Sequence, residues 1–300
     1  MVHVFIINPK YTHKDFAATL RETLSRLPDI NYYVFTTGAA GDESELARTI
    51  EEIFEGEQLR IYCCGGTLCT RNVLNGLRNI NDVEIAIYPT LKVQYLEAIA
   101  DQKAFRDLKR LINGSVKRVD YIKTDQGVAL NTVSFGLDPY VYRCYESMYE
   151  LRVFGKVFPW IAGDLYALLA APNYQYRIET ADGTIVRRAM QMSIYNVPVS
   201  TGHIRFSDDW DISDGMSTFV LVDRFSVFGR ISYAIKAVGG SIRFSEDDPK
   251  NTSRQISRIK IRHSNGIPIW GNMDGALALA PEWNIEVVKQ GLKLVVPAGV

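Results

Sequence analysis

Along the first hundred or so residues, apolar positions switch repeatedly between short uninterrupted runs and stripes at helical spacing. The run Val2–Ile7 predicts a buried first strand, and Phe16, Leu20, Leu24 and Leu27 then fall on one face of a helix. Thr12 with Asp15 forms an imperfect capping box ahead of that helix. Residues 31–36 read as strand, 42–54 as a helix with Leu46, Ile50 and Ile53 inward, and 59–64 as strand. A glycine turn leads into a helix over 67–77, a strand over 84–88 ends at Pro89, and a single helix is expected over 96–112, stopped by Asn113-Gly114. Strand and helix in alternation predict a parallel sheet with helices on its faces.

From Val116 onward the pattern changes to β-branched and aromatic runs broken by tight turns. Residues 174–180 and 184–195 flank Ala181-Asp182-Gly183, which predicts an antiparallel hairpin. Segments 139–151, 155–171 and 226–238 have helical length and spacing, and are expected to cover one face of this β-rich region. Trp160, Tyr166, Leu168 and Leu169 are expected in the core of such a covering helix. The expected division is an α/β domain over 1–115 and a β-rich, sandwich-like domain over 116–300, with the C-terminal end packing back toward the first.

Composition narrows the function classes. Lys plus Arg number 34 and Asp plus Glu also 34, so no global field favours nucleic acid. No segment is apolar enough to span a membrane, so any membrane contact should be peripheral. Cys63, Cys64, Cys69 and Cys144 lack a secreted disulfide pattern, which points to a reducing, cytoplasmic setting. Cys63 and Cys64 are strand neighbours facing opposite ways, unsuited to one zinc ion.

Candidate chemistry begins at Cys64-Gly65-Gly66-Thr67, a strand-to-helix turn whose amides could approach a phosphate or whose glycines could simply allow tight packing. The dinucleotide pattern G-x-G-x-x-G and the P-loop lysine motif are both missing. Taken in order, Ile7-Asn8-Pro9, Thr37 with Gly41 and Glu45-Leu46-Ala47, Gly65-Gly66 with Val73-Leu74-Asn75-Gly76-Leu77, and the stretch Asn131 to Asp138 resemble successive motifs of the diacylglycerol kinase catalytic family. Asn196, Gly202, Asp211 to Met216 and Asp274-Gly275 continue the series toward Leu294-Val295-Val296-Pro297. The resemblance implies a nucleotide-binding α/β domain, a β-rich lipid domain and a cleft between them. It also implies ATP and Mg²⁺ as cofactors, with γ-phosphoryl transfer to a lipid hydroxyl at a membrane surface.

On that resemblance, nucleotide is expected near Asn8, Pro9, Lys10, Thr37, Gly65, Gly66 and Thr67, and a structural magnesium at Asp211, Asp214 and the Met216 carbonyl. Three departures stand out. The family's G-G-D-G-T has no aspartate here, its P-x-G-T-x-N-D segment reads Pro89-Thr90-Leu91-Lys92-Val93-Gln94-Tyr95, and its D-G-E is Asp274-Gly275-Ala276. Asp274 is therefore the candidate catalytic carboxylate, with a plain Asp-Gly turn as the competing reading. Arg71 and His203 are further candidates for phosphate or substrate contact, each readable as a solvated surface residue. A divergent lipid kinase is the first expectation, a catalytically silent nucleotide- or lipid-binding relative the second, and an NAD kinase the third. A homodimer is compatible with all three.

Overall fold

The structure, a computed structural model, describes residues 1–27, 30–39, 41–149, 158–199, 205–238, 240 and 242–300. Gly202 and His203 lie outside the described residues. The chain forms two compact units, residues 1–121 with 289–300, and residues 122–288.

The first unit alternates β1 (Val2–Ile7), α1 (Phe16–Ser25), β2 (Tyr32–Thr36), α2 (Glu43–Ile53), β3 (Leu59–Gly65), α3 (Thr67–Gly76) and β4 (Glu84–Pro89). It continues through α4 (Gln94–Glu97), α5 (Gln102–Phe105) and α6 (Leu108–Ile112) into β5 (Ser115–Thr124). β1 pairs in parallel with β2 on one side and β3 on the other, and β3 pairs in parallel with β4. Val4, Phe5, Ile61, Tyr62, Ile85 and Ile87 are fully buried, as strands covered on both faces must be. In the order β2-β1-β3-β4 the chain reverses direction across the sheet between β1 and β3. In such open sheets the crevice beyond the strands' carboxyl ends at that reversal is where ligands bind.

Three local expectations are corrected. The single helix over 96–112 is three short helices, because Asp101 and Asp107 each cap a new start by accepting from the amides of Lys103 and Arg110. The capping box at α1 does not form: Asp15 makes no side-chain cap bond, and the Thr12 hydroxyl donates to the Asn8 carbonyl instead. In α2 the buried face is Glu43, Ala47 and Ile50, while Ile53 is 58% exposed. That face presses close to α3, where a Cβ at Gly76 would meet the Ser44 carbonyl oxygen at 2.0 Å. Helices that approach so closely have no room there for a larger apolar stripe.

The second unit holds β6 (Gly127–Ala129), β7 (Thr132–Gly136), α7 (Leu137–Tyr149), α8 (Phe158–Ala170), β8 (Gln175–Thr180), β9 (Gly183–Tyr195) and β10 (Ser217–Asp223). It is completed by α9 (Val227–Val238), β11 (Asn251–Ile256), β12 (Arg258–His263), β13 (Ile269–Met273), β14 (Ala276–Ala280) and the first residues of β15 (Glu282–Val296). β9 belongs to two antiparallel layers: its first half pairs with β8, which leads to β12 and β15, and its second half lies between β7 and β10. The predicted hairpin over 174–195 is present as β8 and β9. Phe135, Tyr176, Ile178, Met192, Ile194, Phe219, Ile261 and Trp283 fill the space between the layers. Phe135 and Trp283 meet edge-on at 5.2 Å, and a Cβ at Gly271 would strike the indole at 2.5 Å, so that strand position admits only glycine.

The expectation for α8 is overturned. Trp160, Tyr166 and Leu169 are 36%, 44% and 53% exposed rather than buried in a core. Phe158, Ile161, Leu165 and Leu169 form one exposed apolar stripe, and Phe228, Ile231 and Ile235 form another on α9, which touches α8. Among the described residues no helix is long and apolar enough to cross a membrane.

Candidate active site

In the first unit, the predicted nucleotide residues gather at the carboxyl ends of the parallel strands. Asn8 follows β1, Thr37 follows β2, and Gly65, Gly66 and Thr67 join β3 to α3. Pro9 and Lys10 form a single exposed turn after Asn8, whose side chain accepts from the Lys10 amide at 2.9 Å. Thr90 ties this end together, its amide bonded to the Gly65 carbonyl at 3.1 Å and its hydroxyl to the Tyr11 carbonyl at 2.8 Å.

Beneath these loops lies a buried carboxylate that sequence reasoning missed. Glu43, fully buried in the first turn of α2, accepts from Asn8 Nδ2 at 2.5 Å, from the Gly41 amide at 3.1 Å and from Asn72 Nδ2 at 3.2 Å. One acid thereby locks β1, α2 and α3 together, and three donors compensate its burial. Arg71 joins the same group by donating to Asn72 Oδ1 at 3.0 Å. The spacing of α2 marked Glu43 as a polar first-turn residue and gave no sign of its partners. Cys63, Cys64 and Cys69 sit deeper in the core, and burial pushes all three thiols up, Cys63 to about 12.

Does this end of the sheet fit a nucleotide? Thr37 Oγ1 is buried with no hydrogen-bond partner among the described residues, a polar atom that a ligand group would satisfy. Helix α3 also begins at Gly66 with no side-chain cap, and its first amides suit an anion. The donor set fits on these two counts, with Thr37 and the amides following Gly66 as the groups that would hold it. Both glycines also pack tightly. A Cβ at Gly65 would meet Cys69 Cβ at 2.7 Å, and one at Gly66 would meet Leu91 Cδ1 at 3.3 Å.

The second unit carries an apolar cavity of about 370 Å³ walled by β9, α7, α8, α9 and the segments around Phe206 and Phe244. Asp138 lines it, a partly buried residue whose Oδ2 accepts from the Ser134 hydroxyl and, at 2.6 Å, from Asn272 Nδ2. Its backbone amide donates to Gln191 Oε1 at 3.0 Å. Burial raises the Asp138 pKa above the ordinary carboxylate value, and the two donors only partly offset this. Asp164 lines the same cavity and is raised as well, by burial first and then by the charge of Asp138. The sequence contains Asp138 within a recognisable motif, but its hydrogen-bonding surroundings depend on Asn272 and Gln191, which are remote in the chain.

Asp274 occupies the turn between β13 and β14 with φ +51°, followed by Gly275 at +98°. Its carboxylate accepts from the amides of Leu130 at 2.5 Å, Asn131 at 3.1 Å and Thr132 at 2.9 Å. This is the geometry of a structural clasp on the strand leading into β7. Nearby, Asn131 Oδ1 accepts from the Val197 amide, and Asn196 Nδ2 donates to the Leu130 carbonyl. Asp211 and Asp214 stand in an exposed turn, where Asp211 Oδ1 accepts from the Ser213 amide and hydroxyl and Asp214 Oδ1 from the Met216 amide. Among the described residues, no three His, Cys, Asp or Glu side chains converge as metal ligands. A magnesium ion here would rest on two carboxylates and backbone oxygen.

A parallel sheet ordered β2-β1-β3-β4 together with a two-layered antiparallel unit defines a diacylglycerol kinase-like fold. The crystal structure of a "putative diacylglycerol kinase" from Bacillus anthracis str. Sterne matches with a TM-score of 0.70 at 16% identity, covering 99% of this chain and 98% of that one. Yeast NADH kinase in complex with NADH matches with a TM-score of 0.56 at 9% identity, covering 100% and 84%. In sequence, the chain is 25% identical over 166 residues to the "putative lipid kinase YtlR" of Bacillus subtilis (strain 168). That match spans 50% of this chain and 52% of the relative, about half of each. No family model matches the chain.

Proposed function

We propose that the chain is a divergent ATP-dependent lipid kinase, moving the γ-phosphoryl group of ATP to a lipid hydroxyl. The observation that carries this reading is the apolar cavity with Asp138 in its wall. A base that takes a hydroxyl proton near neutral pH works best with a pKa raised above the ordinary carboxylate value, and an acyl chain needs an apolar bed. Among the described residues, Asp138's side-chain hydrogen bonds, from Ser134 and Asn272, fall on Oδ2, which leaves Oδ1 as the proposed proton acceptor. Asp138 would thus do the work of the glutamate replaced by Ala276, with Asp274 holding the adjoining strand.

ATP would supply the phosphoryl group and magnesium its charge neutralisation. Thr37 and the amides after Gly66 would hold the nucleotide, while Asp211 and Asp214 would brace their loop around a structural cation. The exposed stripes on α8 and α9 support a peripheral encounter with a membrane surface. The test is ATP consumption over a panel of hydroxylated lipids, comparing wild type with Asp138→Asn. Lipid-dependent turnover that the variant loses supports the proposal, and no turnover with any lipid sinks it.

One observation favours a second reading, a catalytically silent relative that binds lipid. Leu91, standing where the resemblance leads one to expect glycine, lies against Gly66 and narrows the approach to its backbone. A thermal shift assay with magnesium-ATP separates the two. Binding with a Kd of tens of micromolar, tested at millimolar ligand, stabilises the fold by about 2–3 kcal/mol, and no shift at all favours the silent reading.

A further inference from the structure

The cavity of the second unit contains a cation that the proposed phosphoryl transfer does not use. Arg230, on α9, lines it and is only 4% exposed. Its Nη1 donates to the carbonyls of Leu168 at 3.1 Å and Ala171 at 2.6 Å, satisfying the C-terminal end of α8. Capping explains one nitrogen and leaves the charge. Among the described residues Nε is buried with no hydrogen-bond partner, and no carboxylate forms an ion pair with this guanidinium. Asp138 and Asp164 share the cavity wall, yet burial alone perturbs Arg230, in the direction of losing its proton.

A buried guanidinium without a counter-charge is costly, and a neutral glutamine or an apolar side chain would remove that cost. The arrangement makes sense once an anion enters. Apart from Asp138, Asp164 and Gln191 the remaining walls are apolar, among them Val141, Ala167, Leu168, the Tyr233 ring, Ala234 and Phe244, so the anion must arrive on an apolar body. We infer that the cavity recognises an acyl amphiphile with an anionic head, the chain lying among these residues and the head, a carboxylate or a phosphate, paired with Arg230. This deepens the lipid-kinase reading and rests on it for the ligand's role as substrate; the binding itself does not require turnover. The preference excludes neutral lipids as the best ligands of this chain.

The test measures affinities of the full chain by calorimetry for four amphiphiles of equal length: dodecanoate, dodecyl phosphate, dodecanol and dodecylamine. The expected result is that at least one of the two anions binds about tenfold or more tightly than dodecanol, the scale of a charge-assisted hydrogen bond, with dodecylamine weakest. The stronger of the two anions identifies the head group. Arg230→Met should bring the anions to the level of dodecanol while leaving dodecanol unchanged. Since that variant also uncaps α8, Ala234→Phe provides a second check by filling the cavity and weakening all four ligands. Equal or tighter binding of dodecanol to wild type overturns the inference, as does anion binding that neither variant alters. A chain that binds dodecyl phosphate but phosphorylates no lipid retires the kinase reading and keeps this site. One that phosphorylates a neutral lipid while preferring dodecanol does the reverse.

Discussion

The strand ends of the first unit and the cavity of the second handle buried charge in opposite ways. At the strand ends, Glu43 is satisfied by three donors, and the glycine turn is packed against Cys69 and Leu91. In the cavity, Asp138 is driven toward its neutral form and Arg230 has a buried nitrogen with no partner among the described residues. A satisfied network is what stability alone would build, whereas unspent charge beside apolar walls is retained only if something else completes it. The second unit therefore carries the stronger functional signal, while the glycine turn of the first is the part that resembles the family's motif.

The sharpest way to break this contrast is Asp138→Asn. On the proposed reading of Asp138 as proton acceptor, lipid-dependent turnover should fall by about 10²–10⁴-fold. Stability should move the other way. Between the ordinary carboxylate pKa and the raised native value the folded chain binds more protons than the unfolded one, so stability falls as pH rises through that window and stays lower above it. The variant should flatten that fall, which thermal melts across acidic to neutral pH would reveal. A variant less stable than wild type at neutral pH would contradict the assignment.

Next in size, Glu43→Ala should cost about 3 kcal/mol in urea unfolding, because Asn8 and Asn72 lose a buried acceptor. A loss below about 1 kcal/mol would mean the network is not a stability device. Asp274→Asn should cost about 2 kcal/mol by turning an amide nitrogen toward backbone donors. Asparagine tolerates the positive φ, so backbone strain is not the cause. Turnover per folded molecule should remain within about twofold of wild type, and a larger fall would return Asp274 to the chemistry.

Two smaller effects sharpen the picture of the strand ends. Leu91→Gly should tighten magnesium-ATP binding about tenfold, roughly 1.4 kcal/mol, by opening the approach to Gly66. Thr37→Val should raise stability by about 1 kcal/mol, since it removes a buried hydroxyl with no partner, while weakening nucleotide binding. Unchanged affinity in that variant would remove Thr37 from the nucleotide site.

Much of the scaffold was legible in the chain. Val2–Ile7, Leu59–Gly65 and Glu84–Pro89 are legible because a strand covered on both faces is apolar along most of its length, the buried charges Arg60 and Glu84 being paired with each other at 2.7 Å. The hairpin of β8 and β9 was readable from its Asp-Gly turn. Less was legible where side chains answer to remote partners. Asp101 and Asp107 divide a stretch whose apolar spacing reads as one helix, and Glu43 is inward because Asn8 and Asn72 meet it. Arg230 showed no signal at all, since its buried state depends on the end of α8, some sixty residues away. The exposed stripe on α8 misled for a related reason: apolar helical spacing records a sticky face without saying what covers it.

The proposed kinase activity stands or falls with the second unit's cavity being a lipid site and Asp138 its base. Radiolabel transfer from γ-labelled ATP to a hydroxylated, anionic acyl lipid tests this directly, with wild type and Asp138→Asn run side by side. Labelled lipid from wild type and a signal at least about a hundredfold lower from the variant is the predicted result. Equal labelling by the two proteins would contradict it.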